Sequence, residues 1–260
     1  MTRKIWWGDF SAPDFEGIDV EGTIAVLPIA AMEQHGPHLP VGTDTIINMG
    51  HCLAVAAAAP DDLDVRFLPV QAVGKSNEHL WAKGTLTHEA TTLIDSWVAL
   101  GLSVARAGVR KLVMVNSHGG NEEVMGIVAR ELRVRAQMFV VKTSWTRFGY
   151  PEGLISEQER RHGIHGGEVE TSLVLHFRPE LVDMARAENF ISIAARDEAE
   201  YTYLRPTGTH AYSWIASDVN PSGAIGNASA GTAEKGKLIA DHQHAGFLQL
   251  LQETKRFPLP

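Results

Sequence analysis

Four short apolar runs, each handing over to a polar turn or a helical pattern, limit the folds open to this chain. Residues 23–31 (TIAVLPIAA), 65–73 (VRFLPVQAV), 111–115 (KLVMV) and 138–141 (MFVV) are apolar almost throughout, the pattern of strands buried on both faces. Between them the apolar spacing turns helical. A helix capped by Asp44 or Thr45 carries Ile46, Ile47, Leu53 and Ala57 until Pro60 stops it. A long amphipathic helix over 90–107 closes at Gly108, and a third runs from about Glu122 to Val134. This alternation predicts an α/β fold, a mostly parallel sheet flanked by helices on both faces. Pro69 implies that the second strand lies near an edge or ends early. Farther on, 166–177 reads as a helix opened by a glycine pair and 233–254 as a final amphipathic helix. Residues 189–231, with several Pro and Gly and a scatter of Tyr201, Tyr203, Tyr212 and Trp214, read as an excursion that covers a site or contacts a subunit. No repeat or linker divides the 260 residues, so one domain over 1–260 is expected.

Charge and cysteine usage narrow the partners. A net charge of −8, from 31 acidic and 23 basic residues with no run of Lys and Arg, would repel a phosphate backbone, so nucleic acid is not an expected partner. The single cysteine, Cys52, allows neither an internal disulfide nor a thiolate metal cage. The expectation is therefore a cytoplasmic chain, with Cys52 as a small core residue and any metal held by His and carboxylates. The start of the chain lacks the apolar run of a signal peptide. The longest apolar stretch, 53–59, is far short of the ~20 residues that span a bilayer, so no membrane segment is expected.

In open α/β sheets, ligands bind beyond the carboxyl ends of the strands, and polar clusters stand at such places. Glu33-Gln34-His35-Gly36-Pro37-His38 follows the first run, with Asp44 opening the next helix. Asn116-Ser117-His118-Gly119-Gly120-Asn121 follows the third run, and His165-Gly166-Gly167-Glu168-Val169-Glu170 opens a helix. Glu33 and His35, two apart on extended backbone, project to the same side, where Asp44 returns. Imidazole and carboxylate ligands without thiolate suit Zn, Mn, Fe or Ni with a position left open for water. Each residue also has a plainer reading: Asp44 as a helix cap, a lone strand-end His as a satisfied core group, His38 as a turn histidine. His51, His88, His176, His210, His242 and His244 have no motif around them, and the Tyr/Trp scatter reads as packing.

The stretches PIAAMEQHGPHLPVGTD, NSHGGN, HGGEVETS and GTAEKG resemble the creatininase (creatinine amidohydrolase) family. The resemblance implies a three-layer α/β/α fold, a hexamer built as a trimer of dimers, and two divalent ions per chain, zinc first and manganese or iron as alternatives. It implies that Glu33 and His118 bind one metal, His35 the other, and that Asp44 bridges them. Creatininases carry a glutamate where this chain has Gly120 and an apolar residue where it has Glu168, so Glu168 is expected to supply the missing carboxylate. His165 matches the catalytic histidine, and its three-residue distance from Glu168 places both on one helical face. Ser76 matches a substrate-contacting serine. The family's tyrosine beside its metal histidine is Gly119 here, and its substrate-covering tryptophan falls at Arg161. These departures point away from creatinine toward a polar or anionic substrate in a wider pocket lined by Lys75, Glu78, His79, Lys83 and Arg161. The expectation is an enzyme, a metal-dependent hydrolase opening a cyclic amide or a related polarised carbonyl compound. The alternatives are a C–C-cleaving hydrolase of an oxidised cyclitol and a non-catalytic metal-stabilised binding or assembly protein. A nucleotide-dependent redox enzyme is disfavoured because no Gly-x-Gly-x-x-Gly follows the first strand.

Overall fold

The structure, a computed structural model, describes residues 3–259. Strands β1 (Ile24–Ile29), β2 (Val65–Phe67), β3 (Lys111–Asn116) and β4 (Phe139–Ser144) form one parallel sheet in the order β2-β1-β3-β4. Side chains on β1 and β3 alternate between two cores. Ala25, Leu27, Ile29, Leu112 and Met114 pack under α2 (Ala90–Arg106) and α3 (Glu122–Ala136). Ile24, Val26, Val113 and Val115 face Cys52 and Val55 of α1 (Thr43–Ala58), and Phe247 and Leu251 of α8 (Ala233–Arg256). The period of two along each strand thus builds the three layers, with both faces covered. Cys52 is a fully buried core residue.

The second strand ends at Phe67, earlier than the run 65–73: the Leu68 N–H still donates to Val26 O, but Pro69 has no N–H to offer the ladder. β4 extends to Ser144, past the apolar run, since pairing with β3 continues to Asn116↔Ser144. Gly108 sits at φ +93, as the end of α2 requires. The helix α5 starts at Glu168 (Glu168–Phe177), directly after its glycine pair and two residues later than expected, and packs on α8 and α1.

The excursion has structure of its own: β5 (Asn189–Phe190), α6 (Ala194–Glu200), α7 (Ala216–Val219) and β6 (Gly226–Asn227), with β5 and β6 antiparallel. A short helix α4 (Glu157–His162) precedes α5. Among the described residues no helix is long and apolar enough to cross a membrane.

Candidate metal centre

Register brings the first two clusters together. Ile29 of β1 pairs with Asn116 of β3, so the turns after both strands leave the same sheet end side by side. Asn48 of α1 donates to the carbonyls of Ile29 (2.7 Å) and Val115 (3.2 Å) and Ser117 Oγ donates to Asp44 O (2.9 Å), fixing the first turn of α1 over that end. Asp44 caps nothing with its side chain. It points into the site, where the helix N-terminus favours its negative charge. Asn121 and Asn116 tie the other turn: Asn121 donates to Ala30 O and Asn116 Oδ1, and Asn116 donates to His118 O.

The resulting cluster is almost closed to solvent. Glu33, His35, Asp44 and His118 are 0%, 1%, 1% and 6% exposed. Glu33 Oε1 lies 3.0 Å from His118 Nδ1, 3.4 Å from His79 Nε2 and 3.5 Å from His165 Nδ1. Asp44 stands between two imidazoles, Oδ1 3.4 Å from His35 Nε2 and Oδ2 3.6 Å from His118 Nδ1. The far nitrogens of both rings donate to backbone carbonyls, His35 Nδ1 to Glu33 O at 3.0 Å and His118 Nε2 to Lys75 O at 2.8 Å. That arrangement turns the near nitrogen of each ring toward the carboxylates.

Both oxygens of Glu33, Asp44 Oδ2 and His35 Nε2 are buried with no hydrogen-bond partner. Such orphans are costly unless a cation answers them. The donor sets Glu33, His35, Asp44 and His35, His165, Glu170 each have ligand atoms within 4.8 Å of one another, so these residues form candidate clusters for divalent metal.

The charges respond to this crowding. Burial works against a charged His118, yet Glu33 and Asp44 lift it to about 10, and Asp44 lifts His35 against the same penalty to about 9. Glu33, although burial pushes it up, is held well below the carboxylate range by His118, His165 and His79. Asp44 is raised by burial and by Glu33, and Glu170 is raised by burial and by Asp44 to about 7. His165 is pushed well down by burial and by His35 beside it, so it stands neutral.

Glu168 is not part of the cluster. Its carboxylate pairs with Lys235 at the start of α8, while Glu170 Oε2 lies 3.8 Å from His35 Nε2 and accepts the Gly166 N–H at 2.5 Å. The three-residue argument fails because His165 is not helical: it pairs with Ile225 in an antiparallel bridge and Gly166 turns at φ +61. Two residues apart on α5, Glu168 and Glu170 point to opposite sides, and the second is the one that faces the site. Nor could a glutamate stand at 120 without displacement. A Cβ on Gly120 would lie 2.5 Å from His118 Nε2, 2.6 Å from Glu78 Oε1 and closer still to the Lys75 carbonyl.

His165 is held between His35 and His79, ring centroids 4.2 and 4.4 Å away. Its Nε2 donates to Gln34 O at 2.6 Å, leaving the Nδ1 lone pair free on the side that faces Glu33. Gln34, passed over at the sequence level, donates to His79 Nδ1 (2.8 Å) and Gly223 O (3.1 Å) and accepts from Gly36 N (2.8 Å). Only its place between Glu33 and His35 hinted at this. His38 is buried and bonded to Thr171 Oγ1 at 3.0 Å, joining the turn after β1 to α5.

A cavity of about 570 Å³ opens over Glu33, His118 and His165, walled by Glu78, His79, Gly119 and, from the excursion, by residues between Pro206 and Trp214. Glu78 and His79 line this cavity. Ser76 is fully buried behind His118, Oγ 3.4 Å from Nε2. Arg161 is outside the cavity, paired with Glu157 and Glu198, and Lys83 is exposed elsewhere. Trp214 lines the wall instead, its Nε1 donating to Pro206 O at 2.6 Å. A Cβ on Gly119 meets nothing within 4 Å, so the space a larger residue would take is open.

The sequence pattern of the creatininase family, described as creatinine amidohydrolase, matches residues 8–251. A mycofactocin precursor peptide peptidase of Mycobacterium ulcerans (strain Agy99) is 32% identical over 221 residues, covering 82% of this chain and 78% of its own length. A creatinine amidohydrolase of Pseudomonas putida is 26% identical over 273 residues, covering 97% and 98%. The solved structure of creatininase Mn superposes with a TM-score of 0.77 at 23% identity, over 98% of this chain and 100% of the other. With the family's pattern matched along nearly the whole chain and the same fold built beneath it, this chain belongs to the creatininase family.

Proposed function

We propose that this creatininase-family hydrolase is a two-metal enzyme that cleaves the C–N bond of an amide with water. The observation that carries the reading is the set of orphaned, mutually facing atoms of Glu33, His35 and Asp44, with Glu33 reaching the wall of an open cavity. Glu33, Asp44 and His118 would hold one ion and His35, Asp44 and Glu170 the other. Such a pair of cations supplies Lewis acidity, lowering the pKa of water toward ~7 and polarising a carbonyl.

The chain's own groups manage the proton. Neutral His165, with Nε2–H tied to Gln34 O, presents Nδ1 over Glu33. There it takes a proton from the attacking water as the C–O bond forms and returns it to the departing nitrogen as the C–N bond breaks. His79 stacks on that ring and keeps it in place.

The open space at Gly119 and the cavity of about 570 Å³ suit a substrate larger than creatinine, and similarity to peptide peptidases supports a peptide-like amide. Zinc is the first metal to test, manganese and iron the next. Elemental analysis of protein purified without chelator is expected to give close to two ions per chain. A panel of creatinine, cyclic amides, N-formyl compounds, short peptides and oxidised cyclitols is expected to show chelator-sensitive turnover of an amide, with creatinine poor. Metal-free protein that gains no activity with Zn or Mn would overturn the reading. The hexamer implied by the family resemblance is checked by sedimentation.

A further inference from the structure

Glu159 takes no part in the chemistry above, yet its side chain is buried where it governs the placement of His165. Ser156 Oγ accepts the Glu159 N–H at 3.1 Å and fixes the start of α4. From there the carboxylate reaches two chain segments at once. Oε1 accepts the N–H of Glu168, the first residue of α5, at 2.8 Å, and Oε2 accepts the N–H of Asn227 in β6 at 2.9 Å.

Just before those two anchor points stand His165 and Ile225, which exchange both backbone hydrogen bonds, 3.1 Å from the His165 N–H and 2.6 Å from the Ile225 N–H. One carboxylate therefore ties the segment after His165 to the segment after its pairing partner. The surroundings are shaped for it. A Cβ on Gly226 would lie 2.6 Å from Oε1, and one on Gly163 or Gly167 would collide with the same oxygen. A glutamate that meets two N–H donors and the positive end of α5 makes charge-assisted bonds. Glutamine in its place has one carbonyl oxygen for two donors.

We propose that Glu159 is a positioning residue for His165, clamping the start of α5 to β6 so that the imidazole stays over Glu33. Its effect on turnover rests on the hydrolase reading above, whereas the clamp itself is tested separately. The zinc-loaded full chain is compared with Glu159→Gln and with Lys235→Met, which cuts the other anchor of Glu168.

Hydrogen exchange followed by mass spectrometry is expected to show protection in peptides covering 163–168 and 225–227 falling ~10-fold or more in Glu159→Gln, as loss of a charge-assisted bond implies. Zinc content is expected to be unchanged. With the panel amide turned over fastest by the parent chain, kcat is expected to fall ~10–100-fold, the range for partners that orient site residues, with KM unchanged. Lys235→Met is expected to lower the melting temperature and leave the split of kcat and KM as in the parent.

Parent-like protection at both segments, loss of zinc together with rate, or the same kcat loss in Lys235→Met would overturn the proposal. Should Glu159→Gln be recovered unfolded, Gly167→Ala, which drives a methyl against the same oxygen, is read by the same criteria. If the parent chain turns over no panel member, the hydrolase reading falls and the exchange data still decide the clamp.

Discussion

The two halves of the candidate metal centre are built by different means. Glu33, His35 and His118 stand just past β1 and β3, neighbours in one parallel sheet with Ile29 opposite Asn116. Side-chain amides of Asn48, Asn116 and Asn121 bond the turns that carry them. His165 and Glu170 lie outside the sheet, His165 bridged to Ile225 of the excursion and Glu170 on α5. Side-chain ties hold that half, among them His38 to Thr171, Glu168 to Lys235, and Glu159 to two backbone amides. The sheet half is set by strand register, which costs nothing extra once the core forms. The helical half depends on polar contacts made across long sequence distances, and those are the contacts a single substitution can loosen.

The largest effect is expected at the joint between the halves. Asp44→Asn removes the charge that faces both imidazoles. Metal content is expected to drop from two ions toward none, and turnover to fall further than in any variant of one half alone. A variant retaining both ions would break the comparison. His165→Ala comes next: loss of the proton carrier is expected to lower kcat by ~10²–10⁴ while both ions stay, read by steady-state kinetics and elemental analysis together.

A sharper contrast lies within α5. Glu170→Gln is expected to lose the ion beside His35 and keep the one at Glu33. Glu168→Gln should keep both and lose only its contact with Lys235, about 1 kcal/mol of stability given that the lysine side chain is 30% exposed. Equal metal loss in the two variants would show that helix phase does not separate their roles.

The smallest effect concerns pH. In chelator-stripped protein His35 near 9 and His118 near 10 sit above the ordinary imidazole value of about 6.5. Stability from such raised groups is full below that ordinary value and is lost as pH rises through their folded values. The stripped protein's melting temperature is therefore expected to decline from about pH 7 toward about pH 10. Ions need neutral imidazoles, so the increase in melting temperature on adding zinc should be larger near pH 9 than near pH 6. A zinc effect independent of pH would place the ions elsewhere.

Much of this protein was legible in its residues. The apolar runs and their helical intervals led to a parallel sheet covered on both faces, because burial on two sides demands unbroken apolar strands and the connections between parallel strands demand crossovers. Glu33, His35, Asp44 and His118 were legible too, as short polar clusters at strand ends and at a helix start.

What tertiary structure decided was phase and reach. Whether Glu168 or Glu170 meets His35 turned on where α5 begins, which pairing of His165 with Ile225 sets from 60 residues away. Trp214 became a pocket wall and Arg161 a surface ion pair through folding of the excursion, which carries no periodicity to betray it. Glu159 gained its place from two amides that only the closed fold brings within reach. Local sequence sets the pattern of burial along each element. The direction of a polar side chain at an element's end depends on partners distant in the chain, and the residues alone do not name them.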